Sequence, residues 1–511
     1  MNALSSFATS APTPQDAPAP VDLSLGELCA SLRGASVVGD ASVRVHGVFQ
    51  DSRRITRGAV FAVRDGARTR GRDFVEQAVS RGAAALLTAD PELAANAPLP
   101  VLLVPSMPEG LAKAALAAYG NPETALTIVG ITGTNGKTTT THLVTAMLNG
   151  AGKRAAALGT LGTTFEGVTL AGPHTTPEAD DLARSMAALV TSGATHLTME
   201  VSSHALVLGR VLGVPFRVTA FLNLTHDHLD FHGTLAAYGD AKRSLFTDWP
   251  AARAVVNIDD PFGQSIADER AFFLSVSPAG APQAEIRCVS RALSANGLVG
   301  RFATPRGLAA ISSSLVGSHN LENLAVALGI GIALDLDVDK IAAALSAAPA
   351  VPGRLERCSG PEDAVLVVVD YAHTPDALLR ALSALRPFTQ GALVCVFGCG
   401  GDRDASKRPA MGRVAGTAAD RVILTDDNPR SERGEDIVAA IVPGVLAAGK
   451  TPEICGDRRA AIRRAVGRAE PGDTVLIAGK GHEPYQIIGP ETLPFDDRVE
   501  ARAALHERGM R

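Results

Sequence analysis

The sequence predicts an α/β protein of several domains, built on parallel sheets with crossover helices. Three observations predict it. The chain has 511 residues, well above one ordinary domain. Short β-branched apolar runs alternate with helical patterns along most of its length. Polar and glycine-rich residues follow those runs immediately, at Thr132, Ser202, Gly398, Asp426 and Gly479 onward. In open α/β sheets ligands bind outside the carboxyl ends of the strands. The pattern therefore marks candidate binding loops before any motif is named.

Residues 1–20 are rich in Ala, Pro and Ser and hold no basic residue and no apolar run. They read as a disordered tail, neither signal peptide nor anchor. From Val21 to about Ala118, strand-like runs at Ala59–Val63, Ala83–Leu87 and Val101–Val104 surround a helical segment, Asp73–Ser80. Gly120-Asn121-Pro122 then punctuates the chain. Further strands are expected at Leu126–Ile131, His196–Val201, Val218–Leu224 and Ala254–Ile258, with helical patterns between them. Pro352-Gly353 marks a second boundary. Beyond it, strands are expected at Val365–Val369, Leu393–Phe397, Arg421–Thr425 and Thr474–Ala478. The expected division is a tail at 1–20 and domains at 21–120, 121–351 and 352–511.

Composition limits the partners. Hydrophobic residues make up 46% and charged residues 20%, the balance of a soluble globular protein. Aromatics are only 4%, so the cores must be built from Ala, Val, Leu and Ile. A formal net charge of −5 argues against nucleic acid as a partner. Six scattered cysteines without framework spacing suggest reduced thiols in a cytoplasm. No stretch is apolar enough to span a bilayer, and the expectation is a cytoplasmic monomer without a membrane partner.

The most specific local signal is Gly130-Ile131-Thr132-Gly133-Thr134-Asn135-Gly136-Lys137-Thr138-Thr139, after a strand and opening a helix. Glycines let the backbone turn so that amide groups face phosphate oxygens, and the helix N-terminus adds a favourable dipole. Lys137 would reach the β/γ-phosphates, and Thr138 would hold Mg²⁺. Ile131 stands where the common G-x-x-x-x-G-K-[ST] pattern has its first glycine, and Gly133 supplies the flexibility instead.

The form Gly133-Thr134-Asn135-Gly136-Lys137-Thr138-Thr139 resembles the Mur ligases, a family that includes the folylpolyglutamate synthases. The resemblance extends over roughly residues 40 to 500. Thr198-Met199-Glu200-Val201-Ser202-Ser203-His204 is similar to the family's second motif. Asn223-Leu224 with Asp227-His228-Leu229-Asp230 is similar to the third. Asn320-Leu321-Glu322-Asn323 resembles the adenosine-contacting stretch, and Asp370-Tyr371-Ala372-His373-Thr374-Pro375 the opening of the C-terminal domain. The resemblance implies an α/β fold of three domains, with a central P-loop parallel-sheet ATPase domain and a C-terminal Rossmann-like domain.

It also implies the chemistry. ATP phosphorylates a carboxylate on a UDP-sugar peptide, and an incoming amine displaces phosphate. Such transfer between anions needs cations and placement rather than a nucleophilic side chain. Gly133 to Thr139, with Asn320, Asp370 and His373, are the implied ATP contacts. Lys137, Glu200, His228 and Lys242 are the implied catalytic set. Thr138, Glu200, His228 and Lys242, the last as a carbamate formed from CO₂, are the implied magnesium ligands. Asp230 and His232 sit beside them. A zinc reading of His226, His228 and His232 is the alternative, and hard oxygen-rich surroundings without cysteine favour Mg²⁺. Because reactive groups come from more than one domain, closure on substrate is expected.

On the UDP-N-acetylmuramoyl-dipeptide side, Ser52 in Asp51-Ser52-Arg53 is implied at the uridine end, with Arg68 and Thr69 in the neighbouring loop. Thr175, Thr176, Ser202 and Arg210 are implied at the muramoyl peptide, where hydroxyls and an arginine suit carboxylates and phosphates. Capping and turn formation are the ordinary use of such Ser and Thr residues.

Asp427-Asn428-Pro429-Arg430 resembles the recognition motif for meso-diaminopimelate. That amino acid carries an amino-acid group at each end. Arg430 and Arg403 suit the distal carboxylate, and Glu483 with the Gly479 carbonyl suits the distal ammonium. L-lysine has no distal carboxylate and would not need the arginine. The competing readings are a lysine-adding relative, a folylpolyglutamate synthase and a P-loop switch. The chain has no N-K-x-D after a strand, and a switch has no use for Glu200, His228 and Lys242.

Overall fold

A computed structural model describes residues 18–66, 69–170, 172, 174–249, 251–269, 273–360 and 362–509. Arg68 and most of the 1–20 tail lie outside the described residues. Packing divides the chain into two units, one spanning the residues up to Val276 with Val326–Ile341, the other Ser277–Ala325 with the residues from Ala342 onward.

The first unit holds two large sheets and a two-stranded one of Leu23–Ser24 with Arg44–Val45. In the smaller of the two large sheets, strands run in the order Ser36–Val38, Val101–Leu103, Ala85–Thr88, Val60–Ala62 and Val48–Phe49. All neighbours are parallel except the first pair. In the larger, Thr127–Thr132 lies between His196–Glu200 and Phe216–Phe221, all parallel. Ala155–Gly159 extends the sheet on one side, and Arg253–Asn257 with Phe273–Ser277 on the other. These strands are nearly wholly buried, which is why they read as continuous β-branched runs. The expected strand bounds agree with the observed ones to within one to three residues.

Antiparallel strands are the main difference from the expected parallel alternation. A hairpin of Gly162–Phe165 and Val168–Leu170 edges the first unit's sheet. In the second unit, Ile286–Ser294, Gly297–Thr304 and Gly307–Ser313 form an antiparallel meander. Burial alternates along much of the second and third of these strands, as in a sheet with one face in water, and the first is largely exposed, so no apolar run announces them.

The second unit's main sheet has the order Glu356–Arg357, Leu366–Asp370, Thr474–Ala478, Leu393–Phe397, Arg421–Leu424 and Glu453–Ile454. It is parallel apart from the short first strand. Alternation decides which core each side chain joins. Leu366 and Val368 pack with helices Pro375–Leu385 and Lys407–Ala418 on one face. Val367 and Val369 pack with Arg458–Gly467 and Asp497–Gly509 on the other. The carboxyl ends of Arg421–Leu424 and Thr474–Ala478 thus open toward Asp426–Arg430 and Gly479–Glu483. Among the described residues no helix is long and apolar enough to cross a membrane.

Candidate functional site

The glycine-rich loop links strand Thr127–Thr132 to helix Lys137–Gly150, as expected. Gly136 caps that helix at φ +85°, a conformation side chains other than glycine's rarely adopt. The loop is fastened from the neighbouring strand end. Thr134 N–H donates to the Asn223 carbonyl (2.9 Å), Asn135 N–H to Asn223 Oδ1 (2.9 Å), and Thr225 N–H to Thr134 Oγ1 (3.0 Å). Asn223 is therefore a structural clasp of the phosphate loop, a role its position in the third motif did not announce.

Two lysines meet at one carbonyl. Lys137 Nζ donates to Gly133 O (2.8 Å) and Thr134 O (2.9 Å), and Lys242 Nζ donates to Gly133 O (2.9 Å). Lys242 comes from helix Leu235–Thr247, is fully buried and lies 4.3 Å from the centre of the Tyr238 ring. Burial, and then Lys137, hold its pKa well below the usual lysine range. Thr138 and Thr139 are buried in the first turn of the helix.

Glu200 ends strand His196–Glu200 and is almost completely buried. Its Oε1 accepts from Thr160 N–H (2.7 Å) and its Oε2 from Thr160 Oγ1 (3.2 Å). A Cβ at Gly159 would stand 2.1 Å from Glu200 Oε1, so glycine makes room for the carboxylate. His228 is half-exposed with φ +51°, an uncommon backbone state for a non-glycine residue. Burial depresses its pKa below the usual imidazole value. His204 packs between His228 (4.8 Å) and His232 (5.5 Å), and its own pKa is lowered to about 4, chiefly by burial. Among the described residues no group of three His, Cys, Asp or Glu side chains could hold a metal ion. His226, His228 and His232 thus do not form a zinc centre of their own.

The implied sugar-peptide residues form one bonded set. Thr160 Oγ1 and Thr175 Oγ1 share a bond (3.2 Å), and Thr176 Oγ1 donates to Glu200 O (2.8 Å). Ser202 caps helix Ser203–Val207 through Ala205 N–H (3.2 Å), the ordinary use of a serine there. Arg210 donates to Thr176 O (3.1 Å) and pairs with Glu178 (2.5 Å). Its Nε is buried with no hydrogen-bond partner among the described residues. Ser52 is buried, with its hydroxyl donating to Gln77 Oε1 (2.5 Å). Glu178 and Gln77 were missed in the sequence, since neither lies in a motif.

In the second unit, the Asn320 amide is engaged locally: Nδ2 donates to Val316 O (2.7 Å), just before its helix, and Oδ1 accepts from Asn323 (2.8 Å). Asp370 accepts from Leu355 N–H (2.7 Å) and Ala372 N–H (2.8 Å), and burial raises its pKa. His373 Nδ1 shares a bond with Tyr371 O (2.9 Å). The phosphate loop and these three implied ATP contacts fall in different units.

The Asp427–Arg430 stretch gathers three loops. Arg430 has φ +55°, strained for a long side chain, and is held by a bridge to Ile488. Its Nη1 donates to Gly401 O (2.8 Å). A Cβ on Gly400 would lie 3.0 Å from Arg430 Nη1 and 3.7 Å from Arg403 Cγ, so both arginines border this glycine. Pro429 is buried, and its carbonyl accepts from Glu432 N–H (3.1 Å). Gly479 has φ +116°, and a Cβ there would lie 2.4 Å from Asp427 Oδ2. Asn428 Nδ2 donates to Glu483 Oε2 (2.9 Å).

Beneath this surface lies an ion pair that no local pattern revealed. Arg458 and Asp497 are wholly buried and joined by two bonds of 2.7 Å. Arg458 also donates to Asp426 O (3.2 Å) and Ala478 O (2.9 Å). One guanidinium therefore ties together the two strand ends from which the loops depart.

A strand, a glycine-rich loop and a helix that opens with Lys-Thr, set on a parallel sheet, define a nucleotide-binding P-loop protein. Residues 44–119 match the Mur ligase family catalytic domain, 131–331 the Mur ligase middle domain and 353–481 the Mur ligase glutamate ligase domain. The UDP-N-acetylmuramoyl-L-alanyl-D-glutamate--2,6-diaminopimelate ligase of Gloeobacter violaceus is 44% identical over 470 residues, covering 92% of this chain and 95% of that protein. Its namesake in Thermosynechococcus vestitus is 45% identical over 457 residues, covering 88% and 91%. The solved structure of a ligase of the same name shares 33% identity at a TM-score of 0.69, covering 96% of this chain and 100% of that one. The MurF ligase of Thermotoga maritima in complex with ADP has the same fold, with a TM-score of 0.59 at 21% identity over 90% of this chain and 96% of that one. The chain belongs to the Mur ligase family.

Proposed function

We propose that this protein joins meso-2,6-diaminopimelate to UDP-N-acetylmuramoyl-L-alanyl-D-glutamate at the expense of ATP, in peptidoglycan synthesis. The relatives that match it over nearly their whole length carry that name. The observation that carries the choice of amino acid is the pair Arg403 and Arg430 bordering Gly400, with Glu483 bonded to Asn428 of the same loop. A guanidinium pair suits the distal carboxylate, and Glu483 with the Gly479 carbonyl suits the distal ammonium. Asp427 and Pro429 shape the loop.

The reaction runs in two steps. A carboxylate oxygen of the sugar peptide takes the γ-phosphoryl group of ATP, and ADP leaves. The amine of diaminopimelate then attacks the acyl carbon. The C–N bond forms, the C–O bond breaks, phosphate departs with the electron pair and the nitrogen loses a proton. Lys137 and the amides of Gly133 to Thr139 neutralise and place the phosphates. Asn320, Asp370 and His373 serve the nucleotide. Ser52 serves the uridine end. Thr175, Thr176, Ser202 and Arg210 hold the muramoyl peptide, a role supported by the unpartnered Arg210 Nε.

The donors fit magnesium better than zinc. Glu200 is a buried carboxylate, Thr138 a hydroxyl at the phosphate loop, and His228 an imidazole. They fit as a site shared with phosphate oxygens, since the described residues supply no three-ligand cluster. Magnesium there would neutralise phosphate charge. Lys242, buried beside Lys137, would join as a carbamate, which turns a cation-cation contact into an attraction. Domains at 21–120, 121–351 and 352–511, a monomeric state and a cytoplasmic location complete the proposal. Three separately matched stretches support the domain limits.

The test is product analysis. Incubation with ATP, Mg²⁺, the UDP-sugar dipeptide and meso-diaminopimelate should yield the tripeptide nucleotide, ADP and phosphate in equal amounts. ATP hydrolysis without the tripeptide product would contradict the proposal.

A further inference from the structure

Lys480 follows strand Thr474–Ala478, and its side chain is 0% exposed. Lysine is almost never fully buried unless paired. Here the ammonium donates to Asn428 Oδ1 (2.9 Å) and lies 3.4 Å from Glu483 Oε2. Asn428 closes the triangle by donating to the same Oε2 (2.9 Å), while Ile487 N–H donates to Asn428 Oδ1 (3.0 Å). The Tyr485 ring stands 5.6 Å from the Lys480 nitrogen. Both ends of the Asn428 amide are thus engaged by protein groups. The bonds to Glu483 among the described residues all fall on Oε2, which leaves Oε1 for an ammonium group.

A buried ammonium contributes little net stability, because desolvation offsets its attractions. It does impose geometry. Without it, Asn428 loses a charged donor, and Glu483 is free to leave the rotamer in which one oxygen is fixed and the other available. We infer that Lys480 is a positioning residue of the amino-acid site, fixing Asn428 and Glu483 in the arrangement that receives the distal ammonium of diaminopimelate. This inference rests on the reading of the loop as the amino-acid site.

The experiment compares wild type, Lys480→Met and Lys480→Gln by steady-state phosphate release, varying each substrate in turn. Lys480→Met removes the donor at similar length. Its KM for diaminopimelate should rise about 10-fold or more, with KM for ATP and for the UDP-sugar dipeptide within about 2-fold. Lys480→Gln keeps an N–H donor and should fall between wild type and Lys480→Met. If Lys480→Met is unfolded at the assay temperature, Lys480→Gln against wild type makes the same comparison. Equal changes in all three KM values, or an unchanged KM for diaminopimelate, would overturn the positioning role. No diaminopimelate-dependent release by wild type would instead overturn the reading of the site.

Discussion

The phosphate loop and the proposed amino-acid loops are built in opposite ways. At the phosphate loop one contiguous stretch does most of the work through its backbone. Two lysines converge on a single carbonyl, and a neighbouring asparagine clasps the turn. The amino-acid loops come from three separate stretches whose side chains bond to one another, above a buried ion pair that joins two strand ends. Generic binding of phosphate can be written into backbone conformation. Discrimination between amino acids that differ by one carboxylate needs side chains held in register from several directions.

Substitutions can break this contrast. The largest effect is expected at the phosphate loop: Lys137→Ala should lower kcat by about 10³-fold, while the thermal melt stays within a few degrees of wild type. Substantial residual turnover would remove Lys137 from its assigned role. The amino-acid loops should fail through stability instead. Arg458→Met leaves Asp497 buried and unpaired, and chemical denaturation should show a loss of about 3–5 kcal/mol. A loss below about 1 kcal/mol would show that the loops do not depend on that tie.

Arg430→Ala should raise KM for diaminopimelate about 10- to 100-fold, the cost of one lost charged hydrogen-bonding group, and leave KM for ATP nearly unchanged. Equal effects on both would argue against the distal-carboxylate contact. A further effect sharpens the contrast from the first unit. Asp180 is buried, accepts from Gln50 N–H (3.3 Å) and Nε2 (3.1 Å), and has its pKa pushed from 3.8 up to about 6, chiefly by burial and then by Asp181. The folded state therefore holds this proton more tightly than the unfolded state. Between about pH 4 and pH 6 the folded state binds more protons, so stability falls as pH rises through that window, by up to about 3 kcal/mol, and is flat above it. The stability of wild type relative to Asp180→Asn, from denaturation midpoints, should fall as pH rises across that range; a difference independent of pH would contradict it.

The same contrast explains what could be read in the sequence. The phosphate loop, its strand and its helix are local, and Leu126–Ile131 lies one residue from the observed Thr127–Thr132. Strands Leu393–Phe397 and Thr474–Ala478 coincide with expectation, because fully buried parallel strands leave continuous apolar runs. The meander at 286–313 leaves only alternation and was not anticipated. Arg430 and Glu483 were legible through a resemblance, since neither has a local signature. The bonds of Lys480 to Asn428 and of Arg458 to Asp497 cross 52 and 39 residues, and no periodicity records such pairings. Ser202 was legible as a residue type, and its use as a helix cap emerged only with the helix.

The central claim is that paired arginines at Gly400 select an amino acid with a distal carboxylate. Phosphate release from ATP with UDP-N-acetylmuramoyl-L-alanyl-D-glutamate, supplied in parallel with meso-diaminopimelate or L-lysine, tests it most directly for wild type and Arg430→Ala. Release with diaminopimelate alone in wild type, and a collapse of that preference in Arg430→Ala, is the expected result. Comparable release with lysine in wild type, or an undiminished preference in Arg430→Ala, would contradict it.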